Sequence, residues 1–571
     1  MTRTILLALG LMSGLGLSSA SLAAGGEVAD QLYFGGDIVT VNPAQPTAEA
    51  LAVKDGKILA LGSRAELEKA YAGPATQKVD LAGKTLTPAF IDPHSHYFSA
   101  LSVANQVNLF PPPAGPGKDI PSILAELKKF RDAHQIPPGV MIMAYGYDDT
   151  AMPGRVGLTR DDLDKDFPDN PVMVTHVSMH GAVLNSLALK KYNITAATKT
   201  PPGGIITRKP GSNEPAGLVM EMAYLPIFAS LPKPTADEEL AWSQAAQQLY
   251  AQAGITTAHE GATHASDLAL MQRVSAAGGN QIDIVAYPFI TELDEILKSN
   301  PPASFGTYKN RLKLGGAKIT IDGSVQGRTA LFTTPYRVDG PNGEKNWKGV
   351  APFTQQQLNQ MVKKVYDLGL PIDLHANGDG AIDMLLAAHE FAAAGDLEKE
   401  RHVTAVHSQF VRQDQLDKYL KYKITPSFFT QHTYFFADTH LVLRGQQETD
   451  FISPMRTAID MGLRPSNHTD FVVTPLDQLF VMWTAVNRIS RNGVLIGGDE
   501  RITPLEALQA ITLNAARQHG DEQTKGSLEP GKLADMVILS ANPLTVEPMQ
   551  IKDIKVLETL KEGRSLYKAT L

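Results

Sequence analysis

The chain has 571 residues, of which 43% are hydrophobic, 20% charged and 7% aromatic, a balance that excludes a disordered chain, a collagen-like fibre and a coiled coil. Fifty-two basic residues against sixty acidic ones leave a net charge of −8 with no Lys/Arg run, so the phosphate neutralisation on which nucleic-acid binding depends is missing. The length suits one large α/β barrel with a smaller companion, and the charge gives no reason to expect an anionic membrane surface as partner.

The N-terminus carries one positive charge at Arg3, an apolar run from Ile5 to Leu17, and small residues at Ser21 and Ala23. This is the layout of a secretory signal peptide over residues 1–23, cleaved near Ala23/Ala24, and the run is short for a membrane span. The expected location is secreted or periplasmic, with no membrane attachment after cleavage. The chain has no cysteine, which excludes disulfides, lipid attachment through a thiol and thiolate metal sites. A metal here has to be held by nitrogen and oxygen.

From about residue 28 to 87 the pattern is short and β-like, with an Asp55-Gly56 turn between the apolar runs Ala50–Val53 and Ile58–Leu61. An Asp-Gly pair in that setting signals a hairpin. Residues 524–571 repeat the style, so both ends are expected to build one small β domain. Between them, residues 88–523 alternate strand-like runs with amphipathic stretches, the rhythm of parallel βα units. Eight strands are expected to end near Phe90–Asp92, Ile255–Thr257, Ile284–Ala286, Ala317–Ile319, Ile372–Leu374, Thr404–Val406, Ile424–Pro426 and Leu463–Pro465. The stretch from about 101 to 240 breaks the rhythm, with strands near Val140–Tyr145 and Val172–Thr175 but no well-spaced crossover helices. It reads as an insertion after the first barrel strand, covering the active-site mouth.

His94-Ser95-His96 places two imidazoles on one side of an extended segment, within reach of one ion. Alone, the pair reads equally as two unrelated surface histidines. Lys318, His375, His407 and Asp470, however, each fall at or just past the C-terminal end of an expected strand, and in a closed barrel such positions converge on one mouth. For Lys318 the alternative is an ion pair with a mouth acid, and for Asp470 a helix cap. Glu221, His259 and Glu260 lie near loop mouths, as substrate contacts or as caps. His432, His440 and His468 read as supporting or surface histidines.

The chain resembles the amidohydrolase superfamily, and within it family 3, the YtcJ-like or N-substituted formamide deformylase-like branch. The segments that carry the resemblance are Pro88 to His96, Lys318 to Ser324, Thr329-Ala330, Leu374 to Asp379, Val406 to Gln409, Asn467 to Asp470 and the closing string Gly526 to Asp535. Ala89 departs from the usual Gly, and Tyr147-Asp148-Asp149 stands where Trp-Asp-Glu is frequent. The resemblance implies a distorted TIM (β/α)8 barrel beside a small β-sandwich formed by both termini. It implies that His94 and His96 bind one divalent ion, His375 and His407 a second, and that Lys318 bridges them as a carboxylated lysine. Asp470 would bind the first ion and act as general base and acid, with His375 or His407 helping to stabilise the oxyanion. Zn2+ (one or two ions) suits such nitrogen–oxygen sites, with Mn2+ and Fe2+ as alternatives. Tyr147, Asp148, His176, His180, Glu221 and Glu260 are the candidate substrate contacts.

The expected activity is that of a metal-dependent hydrolase of a non-peptide C–N bond, in an N-acyl, N-formyl or cyclic amide, by metal-activated water. An ester, lactone or carbamate hydrolase on the same site is the alternative, and a non-catalytic metal-stabilised binding protein the reading from another class. A homodimer is the default assembly.

Overall fold

The computed structural model describes residues 27–570 apart from 178–180, 202–203, 222, 225, 228–229, 231–233 and 341–342. The expected signal segment lies outside the described residues. Among the described residues no helix is long and apolar enough to cross a membrane.

Both ends of the chain enter one eight-stranded sheet. The N-terminal part supplies Gln31–Val39, Thr47–Lys54, Lys57–Gly62, Gln77–Asp80 and Thr85–Pro88, and the C-terminal part Met536–Leu539, Val556–Lys561 and Arg564–Lys568. The seam is antiparallel, Met536 opposite Pro88 and Leu539 opposite Thr85. The Asp55-Gly56 turn forms as expected, with positive φ at both residues (48° and 76°), the twist a two-residue hairpin needs. Alternation along the strands sends Tyr33, Leu51 and Met536 to one apolar cluster and Leu32, Phe34 and Ala52 to another, under the helix Arg64–Tyr71. Hydrogen bonding makes this one continuous sheet; a sandwich would require it to fold over on itself.

The middle of the chain builds two arcs of parallel strands. One runs Leu312–Leu314, Asp283–Pro288, Ile255–Thr263, Phe90–Ile91, and the other Ala317–Thr320, Ile372–Ala376, Val403–His407, Ile424–Phe428, Ser466–Asn467. The eight expected strands all appear, the last shifted to Ser466–Asn467; the short Leu312–Leu314 strand is additional. The ladder does not close continuously. On one side the arcs meet at a single bridge between Phe289 and Lys318. On the other they meet through loop bonds, Asp470 N–H to His94 O at 3.0 Å and His96 N–H to Phe471 O at 2.7 Å.

The stretch expected to lack crossovers has two. Helix Ile120–Ala133 links Val107–Asn108 to Ile142–Tyr147, helix Arg160–Asp166 links the latter to Val172–His176, and these three strands pair in parallel within a six-stranded sheet. Pro121 sits in the first turn of helix Ile120–Ala133 behind the Asp119 cap, where a missing N–H costs nothing.

A buried ion cluster ties the terminal sheet to the arcs. Asp283, on a parallel strand, accepts from Lys525 and from Lys561 of the terminal sheet, and Lys561 also reaches Asp535 at 2.7 Å. Opposed to the burial that raises it, the two ammonium groups hold the Asp283 carboxyl below the ordinary carboxylate range. Removing it leaves two buried cations short of a partner. Asp283→Ala is expected to cost about 3–5 kcal/mol at pH 7 in denaturant unfolding. Because the folded-state carboxyl is depressed, its contribution is present above the unfolded value and fades as pH falls through the acid range, so the difference from wild type should shrink there.

Candidate active site

The site forms where the C-terminal ends of the parallel strands meet. His94 and His96 follow the strand Phe90–Ile91, Lys318 lies in Ala317–Thr320, His375 and His407 come at the ends of their strands, and Asp470 three residues past Ser466–Asn467. All six line one cavity of about 250 Å³. His94 Nε2 is 3.4 Å from Lys318 Nζ and 3.5 Å from Asp470 Oδ1. His96 Nε2 is 3.2 Å from the same Asp470 oxygen, and His407 Nε2 is 3.1 Å from His375 Nδ1.

The backbone is bent to bring these groups together. His407, Ser408 and Asp470 hold positive φ (70°, 43° and 52°), a conformation that a side chain pays for and that the surroundings have to enforce. Asp92, wholly buried, enforces it at Asp470 by accepting from the Thr469 N–H at 3.1 Å and from its hydroxyl. Asp322 does the same beyond His375, accepting N–H groups of Asn377, Gly378 and Leu331, each at 2.9 Å. Gly261 is required because a Cβ there would lie 2.3 Å from His94 Cε1.

Burial sets the protonation states. It drives His94 and His407 well below the ordinary histidine range and His375 to about 3, with the nearby Lys318 charge adding to the effect at His94 and His375. At His96 burial is outweighed by the Asp470 carboxylate, and the value rises. Burial lowers Lys318 to about 8, so its neutral amine is accessible near neutral pH.

Uncharged imidazoles beside a carboxylate form a donor set for a divalent cation, and within it the buried His94 Nδ1 has no hydrogen-bond partner among the described residues. His94, His407 and Asp470 offer ligand atoms all within 4.8 Å of one another. The residues present fit a metal.

Comparison with known proteins agrees. Residues 77–567 match the model of the amidohydrolase family. The chain belongs to that family, in its YtcJ-like family 3 branch. It is 27% identical over 560 residues to YtcJ of Bacillus subtilis (strain 168), an amidohydrolase by its name, covering 94% of this chain and 99% of the relative. It is 25% identical to the N-substituted formamide deformylase of Arthrobacter pascens, over 95% and 99% of the two chains, and 29% identical to Protein LONG AFTER FAR-RED 3 of Arabidopsis thaliana, over 95% and 92%. The crystal structure of an uncharacterized metal-dependent hydrolase from Pyrococcus furiosus superposes with a TM-score of 0.68 at 24% identity, covering 90% of this chain and all of that one, a likeness of fold. The protein is a metal-dependent hydrolase acting on carbon–nitrogen bonds other than peptide bonds.

In this amidohydrolase the other expected contacts stand apart from the cavity. The Tyr147 hydroxyl accepts the Leu158 N–H at 2.7 Å, Asp148 pairs with Arg491 at 3.0 Å, and His176 with Asp149 at 2.9 Å. Among the described residues none of the 101–240 stretch lines the cavity, so the expected cover over the mouth is not seen there. Glu260 accepts the backbone N–H of Phe98 and of Ala262, capping the helix Tyr97–Val103 that follows His96. Glu221 ends a strand, its side chain outside the described residues, as is His180.

Asp373 was not singled out as a site residue by the sequence, and His468 and His259 were read only as a supporting or surface histidine and a loop-mouth candidate. His468 lies 3.0 Å from His407 Nδ1 and passes its other nitrogen to Ser427 Oγ at 3.0 Å, which fixes the His407 ring. Asp373, directly opposite Lys318 in the ladder, is wholly buried, and burial raises its carboxyl to about 7. His259, noted only as a loop-mouth candidate, is 3.5 Å from it and joins His519 at 3.1 Å. The two-residue spacing from Asp373 to His375 put both on one strand face, a signal that was available.

The close approach of Gly261 to His94 gives a direct test. Gly261→Ala should weaken metal binding about 10–100-fold, read by chelator competition, and lower the unfolding midpoint as the buried His94 ring is displaced.

Proposed function

We propose that this amidohydrolase is an exported enzyme that hydrolyses a small, neutral N-acyl, N-formyl or cyclic amide. The observation that carries the reading is the convergence of His94, His96, Lys318, His375, His407 and Asp470 on one cavity. The two parallel arcs would act as one distorted (β/α)8 barrel, with the terminal sheet curled into a sandwich beside it. Export rests on the N-terminal pattern of residues 1–23. A homodimer is the assembly we propose by default.

His94, His96 and Asp470 would hold one ion and His375 and His407 a second, with zinc the proposed metal and manganese or iron(II) the alternatives. Lys318 would bridge them as a carbamate, a modification that needs the neutral amine its burial favours. A divalent metal held by these residues would supply Lewis acidity and lower the pKa of water to near 7. Asp470, 3.2 Å from His96, would take a proton from the attacking water and return it to the leaving nitrogen. Thr469 and Asp92 hold its loop while it does so.

The other residues lining the cavity support the choice of substrate. Phe289, Phe429 and Val473 are apolar, Ser324, Gln326 and Asn377 are polar and uncharged, and among the described lining residues Lys318 is the only lysine or arginine. A substrate carboxylate would meet no second cation, and the volume admits a compact molecule.

The test is a panel of N-substituted formamides, N-acetyl amines and matched aryl esters offered to the metal-loaded protein, with amine or phenol release measured. Amide turnover that falls about 10²–10⁴-fold in Asp470→Asn is expected. Turnover of the esters alone would move the reading to an esterase, and no turnover of any class would overturn the amide assignment.

A further inference from the structure

The cavity holds a histidine that neither the ligand set nor the proton transfer uses. His432 opens the short helix His432–Phe435 and lines the cavity with the six site groups. Its Nδ1 lies 3.1 Å from Nε2 of His440, from the next helix, Ala437–Leu443. The two rings are stacked, 5.4 Å apart and 15° from parallel. Phe429 and Phe436 pack against His432 at 4.5 and 4.7 Å, and Phe410 against His440 at 5.5 Å. Both imidazoles are buried, and that burial keeps both uncharged, His440 near 3 and His432 well below the ordinary range.

A contact between two neutral imidazole nitrogens needs one proton, and its position decides what faces the substrate. If His432 donated, His440 would carry its own proton on Nδ1. That atom is buried and has no partner among the described residues. A buried N–H without an acceptor is rarer and costlier than a lone pair without a donor. The favoured arrangement is therefore His440 Nε2–H donating to His432 Nδ1. A neutral His432 then carries its proton on Nε2, which has no partner among the described residues and is left for the cavity.

We propose that His432 is a catalytic hydrogen-bond donor, presenting Nε2–H to the substrate oxygen that gains charge when the carbonyl carbon is attacked, and that His440 is the positioning residue that fixes its tautomer. A fixed N–H needs no reorganisation as that charge develops. The aromatic packing on both rings prevents the rotation that would lose the aim. The proposal rests on the amide-hydrolase reading for its substrate, but not for the tautomer.

Two measurements on the full-length, metal-loaded protein decide it. In ¹⁵N-histidine spectra, with His432→Gln to assign the signal, His432 should show a bare Nδ1 and a protonated Nε2; the opposite tautomer overturns the proposal. On the best formamide of the panel, His432→Phe should lower kcat/KM about 10²–10³-fold, mainly in kcat, with bound metal unchanged. His440→Phe should lower it less, and His440→Gln, which keeps a donor, should recover most of that loss. Unchanged kcat/KM in His432→Phe, or a loss matched by lost metal, contradicts the role. If wild type turns over no amide, the substrate reading fails while the spectra still judge the histidine pair.

Discussion

The fold has to keep a cluster of ionisable groups out of water at close range. His94, Lys318, His407 and Asp470 are at most 8% exposed, and nitrogen faces nitrogen at distances of 3.1 to 3.4 Å. Without an ion between them these groups gain little from one another and lose their hydration, which is the ordinary cost of a preorganised metal site. Much of the neighbouring structure holds that arrangement in place. Asp92 and Asp322 gather backbone N–H groups behind the two loops that carry Asp470 and follow His375, His468 locks His407, and Gly261 makes room for His94.

The second burden is mechanical. The parallel strands do not close by a continuous ladder, and the site sits across the junctions, at the Phe289–Lys318 bridge and at the bonds from Asp470 and His96. The terminal sheet steadies the opposite end of those strands. Asp283 with Lys525 and Lys561, and Lys313 with Asp521 at 2.6 Å, are buried ion pairs joining segments distant in sequence. Such pairs add little net stability over an apolar core, but breaking one leaves a stranded charge, so they fix how the layers register.

Much of this was legible in the sequence because it is local. The Asp55-Gly56 turn, the eight strand runs and the placing of His94, His96, Lys318, His375, His407 and Asp470 at strand ends follow from period-two patterning and turn chemistry. What was not legible depends on the chain meeting itself at long range. Asp283 finds Lys561 from 278 residues away, and the Glu260 carboxylate caps a helix 162 residues upstream. His432 and His440 are eight residues apart on two short helices joined by a bend, a spacing with no periodic signature. The helices Ile120–Ala133 and Arg160–Asp166 lie in a stretch whose strands offered no regular crossover spacing, so they were not read as crossovers.

We propose Lys318 as a metal-bridging group rather than one half of a buried ion pair with Asp373. Elemental analysis of the whole protein, wild type beside Lys318→Ala, tests it most directly. A lysine-bridged pair of ions should give about two divalent metal equivalents in wild type, falling to about one or fewer in the variant. A single equivalent that is unchanged in Lys318→Ala would contradict it, leaving a mononuclear site centred on the histidines and Asp470.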